Sequence, residues 1–187
     1  DRATAGHRHR RVNGQAENYD YLVLAQGAET NFYNIPGAKE NSFTLKSVKG
    51  AIKIKNHIIA KVEAATHIKN KEKRKTELTF LVVGGGPTGV ELAAEIQELI
   101  KDTFSRYYPK DMIDDTEVVL IQKDSELLPQ FHKNLREKSL QVLTGKGIKV
   151  ILNAAVREVG PGHIILEDGR KIEAETIIWV AGVKTVE

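Results

Sequence analysis

Apolar positions along the chain follow two alternating patterns. Short, nearly continuous apolar runs predict strands at 21–25, 78–83, 118–121, 148–151 and 176–180. Apolar residues at helical spacing predict helices at about 47–70, from residue 90 onward and at 135–143. The first run is typical of a strand buried on both faces, and the last is expected to be buried too. From residue 78 onward, strands that alternate with helices predict an α/β domain with a parallel sheet and crossover helices.

Turn residues predict two antiparallel units beside this sheet. Asn13-Gly14, between a charged segment and the apolar run at 21–25 as second strand, predicts a hairpin near the start of the chain. Short alternating segments at 154–174 predict a small antiparallel β-meander, inserted as a crossover before the last strand. Ile35-Pro36-Gly37 is typical of a turn or a domain boundary. It lies between residues 1–36 and the rest of the chain, which contains the predicted helix at about 47–70.

Composition excludes several classes of function. The 28 lysines and arginines exceed the 25 acidic residues by too little to create a field that favours nucleic acid, so no nucleic-acid partner is expected. The absence of cysteine excludes a disulfide framework or thiolate metal ligands within these residues, and the six histidines show no metal-ligand spacing. No apolar run reaches the roughly 18 residues that a membrane span needs. The chain begins at Asp1, and we expect a piece of a longer protein.

Some conspicuous side chains are expected to be structural or solvated. Trp179 belongs to the last apolar run and is expected in the core. His57 and His67 belong to the lysine-rich helix and are expected to be solvated. The basic segment 69–75 is expected to be a solvated linker, with contact to anionic lipid headgroups as the alternative.

A glycine-rich loop between a strand and a helix is the strongest functional motif. Gly84, Gly86 and Gly89 have the spacing of a dinucleotide fingerprint. Gly84 would allow a tight turn, Gly86 would let a pyrophosphate approach the backbone, and Gly89 would let the helix pack on the strand. Free N–H groups in the first helical turn, which contains Pro87 and Thr88, would then bind the anion. The alternative is a glycine-rich turn that serves packing alone.

Three residues after the next strand bear on which dinucleotide is bound. An acid at this position would accept hydrogen bonds from the adenosine ribose of NAD. Here Gln122 is neutral and Lys123 is cationic, so the repulsion of a 2′-phosphate is weakened, although Asp124 could still reach the ribose. NADH is favoured, with NADPH or dual use as alternatives. The pattern therefore predicts a Rossmann-type, three-layer NAD(P)H-binding domain with a small antiparallel β-meander.

Three segments, in the same order along the chain, resemble one family. The segment at 82–95 resembles the nicotinamide-site motif of type II NADH dehydrogenases, which are FAD-containing NADH:quinone oxidoreductases of the pyridine nucleotide-disulfide oxidoreductase family. The segment at 19–27 resembles the strand that ends the first half of the family's FAD domain. The segment at 177–184 resembles the strand by which the chain leaves the NAD domain. This chain departs from the pattern at Gln26, where threonine is usual, and at Gln122, where an acid is usual.

The resemblance implies how the residues divide between two cofactors. Residues 1–36 would be a partial FAD-domain segment, with Gly27 close to FAD in the full-length protein, and 37–187 would be the NAD(P)H-binding domain. Ala181 and Gly182 end a strand at the carboxyl edge of the sheet, where the backbone would pass the cofactor closely. Glu91 would face the nicotinamide and flavin; the alternative is a first-turn acid that complements the helix dipole.

The resemblance also implies an activity for the full-length protein. Hydride would pass from NADH to FAD and electrons then to a quinone, in an enzyme bound peripherally at the cytoplasmic face of the cell membrane, through regions outside this chain; a homodimer is compatible. Such a transfer needs orientation and exclusion of water, so no catalytic acid–base residue is expected. The fragment itself is expected to be soluble and inactive. The alternatives are another FAD/NAD(P)-dependent reductase of this superfamily, or a non-catalytic nucleotide-sensing module.

Overall fold

The computed structural model describes residues 9–12, 15–18, 20, 21, 23 and 25–185. Its strands are β1 (His9–Val12), β2 (Gln15–Asn18), β3 (Ala28–Thr30), β4 (Phe43–Thr44), β5 (Thr79–Val83), β6 (Glu117–Ile121), β7 (Lys149–Ile151), β8 (Val156–Gly160), β9 (His163–Leu166), β10 (Lys171–Glu173), β11 (Thr176–Trp179) and β12 (Val183–Thr185). Its α-helices are α1 (Ala38–Asn41), α2 (Val48–Ala65), α3 (Lys71–Glu77), α4 (Pro87–Glu98), α5 (Lys110–Asp114) and α6 (Lys133–Gly145). Helix α4 continues into a π-helical turn, Leu99–Thr103, and a 3₁₀ turn, Phe104–Arg106.

A parallel sheet of five strands forms the centre of the molecule, in the order β4-β11-β5-β6-β7. Every residue of β5 and β11 is buried, as expected for strands covered on both faces. Val83 pairs with Trp179 on one side and with Ile121 on the other, so β11, β5 and β6 end at the same level. The predicted parallel sheet is confirmed, and the short edge strand β4 is an addition to it.

The two faces of the sheet are covered by different layers. Alternate residues such as Phe80 and Val82 pack into a cluster with α2, α4 and α6. Leu81 and Val83 point to the opposite face, where their cluster includes residues of β8 and β9. Strands β8, β9 and β10 form the predicted antiparallel meander, in the order β10-β9-β8. The α/β, Rossmann-type fold is thus confirmed, with the meander as its third layer.

The chain before β3 differs in part from expectation. Strands β1 and β2 pair antiparallel, with Val12 opposite Gln15, so a hairpin is present, but its second strand is Gln15–Asn18 and not the apolar run at 21–25; its Asn13-Gly14 turn lies outside the described residues. The predicted buried strand at 21–25 is wrong: Tyr21 and Val23 are 92% and 84% exposed and belong to no strand, and Leu22 and Leu24 lie outside the described residues. An apolar run becomes a buried strand only where neighbours pair with it and cover it, and no described strand does so here.

The predicted linker at 69–75 is solvated as expected except at Arg74, but most of it is a helix rather than a linker. Helix α3 occupies most of it, and the Asn70 side chain caps this helix by accepting a hydrogen bond from the amide of Lys73 at 2.9 Å. Arg74 of α3 then donates from Nε to Oδ2 of Asp115 at 2.7 Å, and the Asp115 side chain is only 4% exposed. A cap and a specific ion pair therefore order a segment whose charge indicated solvation.

His57 is half-buried, so its expected solvation is wrong. Its Nε2 lies 3.1 Å from Oγ1 of Thr176 in β11, and its ring packs on Phe43 with centroids 4.5 Å apart. His67, two residues after the end of α2, is exposed as expected. Trp179 is buried as predicted, and its Nε1 donates to the carbonyl of Asn31 at 2.9 Å.

Candidate functional site

The glycine loop turns sharply at the end of β5. Gly84 has φ 119°, a conformation that residues with a side chain rarely adopt. A Cβ at Gly84 would lie 2.6 Å from Cα of Ala181, so the turn passes directly beside the chain that leaves β11. A Cβ at Gly89 would collide with the carbonyl oxygen of Gly84. Two of the predicted glycines therefore allow backbone to approach backbone at the point where α4 leaves the sheet.

Gly86 faces open space at the first residue before α4. It is the N-cap of that helix, with an extended backbone, and a Cβ placed on it would meet no atom within 4 Å. Pro87 occupies the first turn, and no side chain of the described residues caps the helix. The first-turn N–H groups of a helix have no intrahelical acceptor, and the helix dipole favours an anion beside them. Pro87 and Thr88 are exposed here, so this helix terminus can receive an anion.

A cleft of about 510 Å³ opens at the carboxyl ends of β5, β6 and β11. Its wall contains the backbone of 84–86, the segment 121–124 that follows β6, and Val180 with Ala181 after β11. Such clefts, at the carboxyl edge of a parallel sheet, are where open α/β folds bind ligands. Gly84, Gly86, Gln122, Lys123 and Ala181, five of the residues predicted to bind a cofactor, line this cleft, as do Asp124 and Trp179.

Gln122 is buried, and its side-chain amide makes two hydrogen bonds. Its Oε1 accepts from the amide of Gly85 at 3.0 Å, and its Nε2 donates to Oδ2 of Asp124 at 2.9 Å. Its own carbonyl accepts from the amide of Ala154 at 3.0 Å. The side chain thus joins the glycine loop to the chain that follows β6. Lys123 and Asp124 are exposed at the rim of the cleft.

The other predicted residues are not among those that line the cleft. Gly182 packs so closely on Tyr33 that a Cβ there would collide with the Tyr33 hydroxyl. Glu91 is exposed on α4, and both of its predicted roles remain predictions. Gly27 is exposed and has φ 76°, with no atom within 4 Å of a Cβ built on it.

Sequence reasoning missed the segment that closes one side of the cleft. Tyr33 and Ile35 line it, although the sequence indicated that they belong to a separate unit. Tyr33 has φ 52°, and its amide donates to Oδ1 of Asn31 at 2.9 Å. An asparagine two residues ahead is the one local signal of this turn, because its side chain bonds the backbone two residues on. Its placement beside Gly182 depends on contacts that are distant in sequence.

None of the helices in the described part of the chain combines the length and apolarity needed to cross a bilayer.

Comparison with known proteins gives one consistent result. Residues 2–187 match the pyridine nucleotide-disulphide oxidoreductase family. The chain is 35% identical to the mitochondrial external NADH-ubiquinone oxidoreductase 2 of Saccharomyces cerevisiae, over 91% of this chain and 32% of that protein. It is 34% identical to the type II NADH:quinone oxidoreductase of Haemophilus influenzae, over 89% of this chain and 40% of that protein.

A solved structure extends the comparison to three dimensions. NDH2 from Plasmodium falciparum, solved in complex with NADH, superposes with a TM-score of 0.84 at 28% identity, covering 94% of this chain and 37% of that one. The chain spans about a third of the length of the curated relatives it matches. The resemblance found in the sequence is confirmed: this chain belongs to the pyridine nucleotide-disulphide oxidoreductase family and is similar to its type II NADH:quinone oxidoreductases.

Proposed function

We propose that this chain is the NAD(P)H-binding domain of an FAD-dependent NADH dehydrogenase that reduces a quinone. One observation carries the proposal: an uncapped helix terminus and a glycine loop open into a cleft at the carboxyl edge of a parallel sheet. Its volume of about 510 Å³ is within the range usual for cofactor sites. The names of the relatives, which include NADH-ubiquinone oxidoreductases, support the same reading.

The loop residues fit the pyrophosphate of a dinucleotide. The empty space in front of Gly86 is where a pyrophosphate could approach the backbone, and any side chain there would occupy it. The first turn of α4, with Pro87 and Thr88, would hold the anion by its N–H groups and dipole. Gly84 and Gly89 act indirectly, because their lack of a side chain lets the loop take this course.

The nicotinamide end would lie toward Ala181 and Gly182. When bound, NAD(P)H supplies a hydride at its nicotinamide ring, and FAD is the acceptor. The residues of this chain would orient the ring and exclude water, with Glu91 available to accept a hydrogen bond from the carboxamide. Residues 1–36 would belong to the FAD domain, with Gly27 close to FAD.

The remaining parts of the proposal concern the full-length protein. A quinone would be the final acceptor, as the names of the relatives indicate for those proteins. Peripheral attachment at the cytoplasmic face of the membrane would depend on regions beyond this chain, and a homodimer is compatible with the proposal.

Fluorescence titration tests the binding step. The chain's single tryptophan, Trp179, lines the cleft, so bound NADH should quench its emission. We expect saturable binding of NADH well below millimolar concentration, without oxidation of NADH by this chain alone. Failure of both NADH and NADPH to bind at millimolar concentration would refute the proposal.

A flavin spectrum and NADH:quinone activity of the longer natural chain test the enzymatic step. We expect both. A longer chain that binds NADH but carries no flavin would instead support the nucleotide-sensing alternative. Activity with an acceptor other than quinone would support a different reductase of the same superfamily.

A further inference from the structure

The position at which an acid usually contacts ribose is held by Gln122, whose buried side-chain amide is hydrogen-bonded at its oxygen and at its nitrogen. Gln122 is 8% exposed. Its Oε1 accepts from Gly85, in the glycine loop, and its Nε2 donates to Asp124, two residues further on. The side chain that was expected to face the nucleotide is therefore hydrogen-bonded within the protein at both its oxygen and its nitrogen.

The chemistry of the two partners fixes the orientation of this amide. The Gly85 N–H can only donate, so it requires the oxygen of Gln122. The NH₂ group then faces Asp124, whose ionised carboxylate can only accept. A glutamate at position 122 would still accept from Gly85, but it would bring a second carboxylate to hydrogen-bonding distance of Asp124, and two such charges repel. Glutamine at 122 and aspartate at 124 are thus a matched pair.

Asp124 is held in place and still has an oxygen to offer. Its carbonyl accepts from the amide of Asn153 at 3.0 Å, which fixes its backbone, and Gln122 fixes Oδ2. No described residue donates a hydrogen bond to Oδ1, and the side chain is exposed in the wall of the cleft. A fixed carboxylate in this place can accept from ribose hydroxyls and would repel a 2′-phosphate.

We propose that Asp124 makes this site prefer NADH to NADPH and that Gln122 is the residue that positions it. The inference rests on the proposed function and names the nucleotide of that same site. The acid that discriminates between the two dinucleotides is thus displaced by two residues along the chain, rather than absent.

Lys123 limits how strongly the site prefers NADH to NADPH. It is exposed beside the same cleft, and no described carboxylate forms an ion pair with it. Its ammonium can attract a 2′-phosphate, but a mobile, solvated charge is screened more than a carboxylate held by a hydrogen bond. We therefore expect NADH to bind more tightly than NADPH by about fivefold or more, a preference well short of absolute.

Four variants of this chain test the assignment, each with dissociation constants for NADH and NADPH from Trp179 quenching. Asp124→Asn should bring the NADPH/NADH ratio of dissociation constants close to 1, mainly through tighter binding of NADPH. Gln122→Glu should weaken both nucleotides, because the added charge repels Asp124 and disturbs the loop. Gln122→Glu combined with Asp124→Asn should restore the NADH preference, because the carboxylate and the amide have exchanged positions. Asp102→Asn removes an exposed acid at the far end of the α4 helical segment and should leave the ratio unchanged.

The NADPH/NADH ratio of dissociation constants distinguishes a residue that discriminates between the two nucleotides from one with a merely structural role. Loss of structure would weaken both nucleotides alike and leave the ratio where it was, and thermal unfolding of each variant checks the fold. A ratio that stays within about twofold of the native value in Asp124→Asn, or a double variant that fails to regain the preference, would overturn the inference. If the native chain binds neither nucleotide, the proposed function itself fails, which is a different result.

Discussion

Gly86 and Gly89 lie three residues apart, and each lacks a side chain for a different reason. A Cβ at Gly89 would strike the carbonyl oxygen of Gly84 and approach Cγ2 of Val180 to 3.3 Å. A Cβ at Gly86 would meet nothing within 4 Å. Gly89 lets the helix pack on the strand, whereas Gly86 keeps the cleft open. Substitution can therefore separate stability from binding within one motif.

Gly86→Ala should weaken NADH binding without affecting the fold. Its backbone is one that alanine adopts readily, so we expect a melting temperature within about 2 °C of the native value. The methyl group would project where the pyrophosphate approaches, and NADH affinity should fall about tenfold or more. Gly89→Ala is the matched control, which should lose about 2 kcal/mol or more of stability because backbone must move. Thermal unfolding and NADH titration check both; equal losses of stability would contradict the distinction.

At the scale of elements, α2 is attached to the sheet by an apolar stripe and by one polar contact. Ile54, Ile58 and Val62 bury the stripe, and His57 meets Thr176 of β11 at its edge. Burial lowers the pKa of His57, and the cation of Lys61 lowers it further. The carboxylates of Glu77 and Glu175 act in the opposite direction but do not reverse the shift.

This lowered pKa predicts how stability depends on pH. The unfolded chain takes up a proton at His57 near its ordinary pKa of 6.5, whereas the folded chain resists it until a lower pH. The stability that the folded chain gains by keeping His57 neutral is therefore fully present above about pH 6.5 and is lost as the pH falls toward the folded pKa. We expect the free energy of unfolding to fall more steeply between about pH 7 and 5 in the native chain than in His57→Gln. His67→Gln, at an exposed site, should keep the native slope. Parallel profiles for the native chain and His57→Gln would contradict this.

The ion pair between Arg74 of α3 and Asp115, which directly follows α5, should contribute more to stability than the exposed pair within α5. Arg74 contacts the buried carboxylate of Asp115, while Lys110 and Asp114 pair at 2.7 Å in solvent. Arg74→Ala would leave Asp115 without its main cation, so we expect a melting temperature several degrees lower. Lys110→Ala should shift it by about 1 °C or less, because exposed pairs contribute little. Adding Asp115→Asn to Arg74→Ala should recover part of the loss. Similar effects of the two single substitutions would show that burial of the pair is unimportant.

Whether a sequence pattern predicts the structure depends on how far apart in sequence the residues lie whose contacts produce that structure. The apolar runs at β5, β6 and β11 became buried parallel strands because helices and meander between them could return each strand to one sheet. The run at 21–25 has the same composition, but its burial needs neighbouring strands that the described residues do not supply. Gly84 and Gly86 could be found from spacing alone. The bond from Gln122 to Gly85 could not, because it joins residues 37 positions apart.

At the scale of the whole molecule, residues 28–36 are held against the end of the chain and against the meander. Strand β3 pairs antiparallel with β12, and the amide of Asn31 donates to the carbonyl of Gly182 at 3.0 Å. The rings of Phe32 and Trp179 lie 6.1 Å apart, and the carbonyl of Pro36 accepts from Val159 at 2.9 Å. These contacts hold residues 28–36 against β12, Trp179 and the meander, so we expect the chain to divide in stability nearer residue 27 than residue 36.

Two shortened chains test where that division lies. A chain that starts at Gly27 loses the hairpin and the segment at 21–25, in which Tyr21 and Val23 are exposed, so we expect a melting temperature within about 2 °C of the native value. A chain that starts at Gly37 also loses the cover of Trp179 and strand β3, and we expect a melting temperature lower by about 5 °C or more. It should bind NADH more weakly as well, because Tyr33 and Ile35 no longer line the cleft. Phe32→Ala in the native chain, which removes one of these contacts, should lie between the two. A chain from Gly37 that melts and binds NADH like the native one would instead place the boundary at residue 36, as the sequence alone indicated.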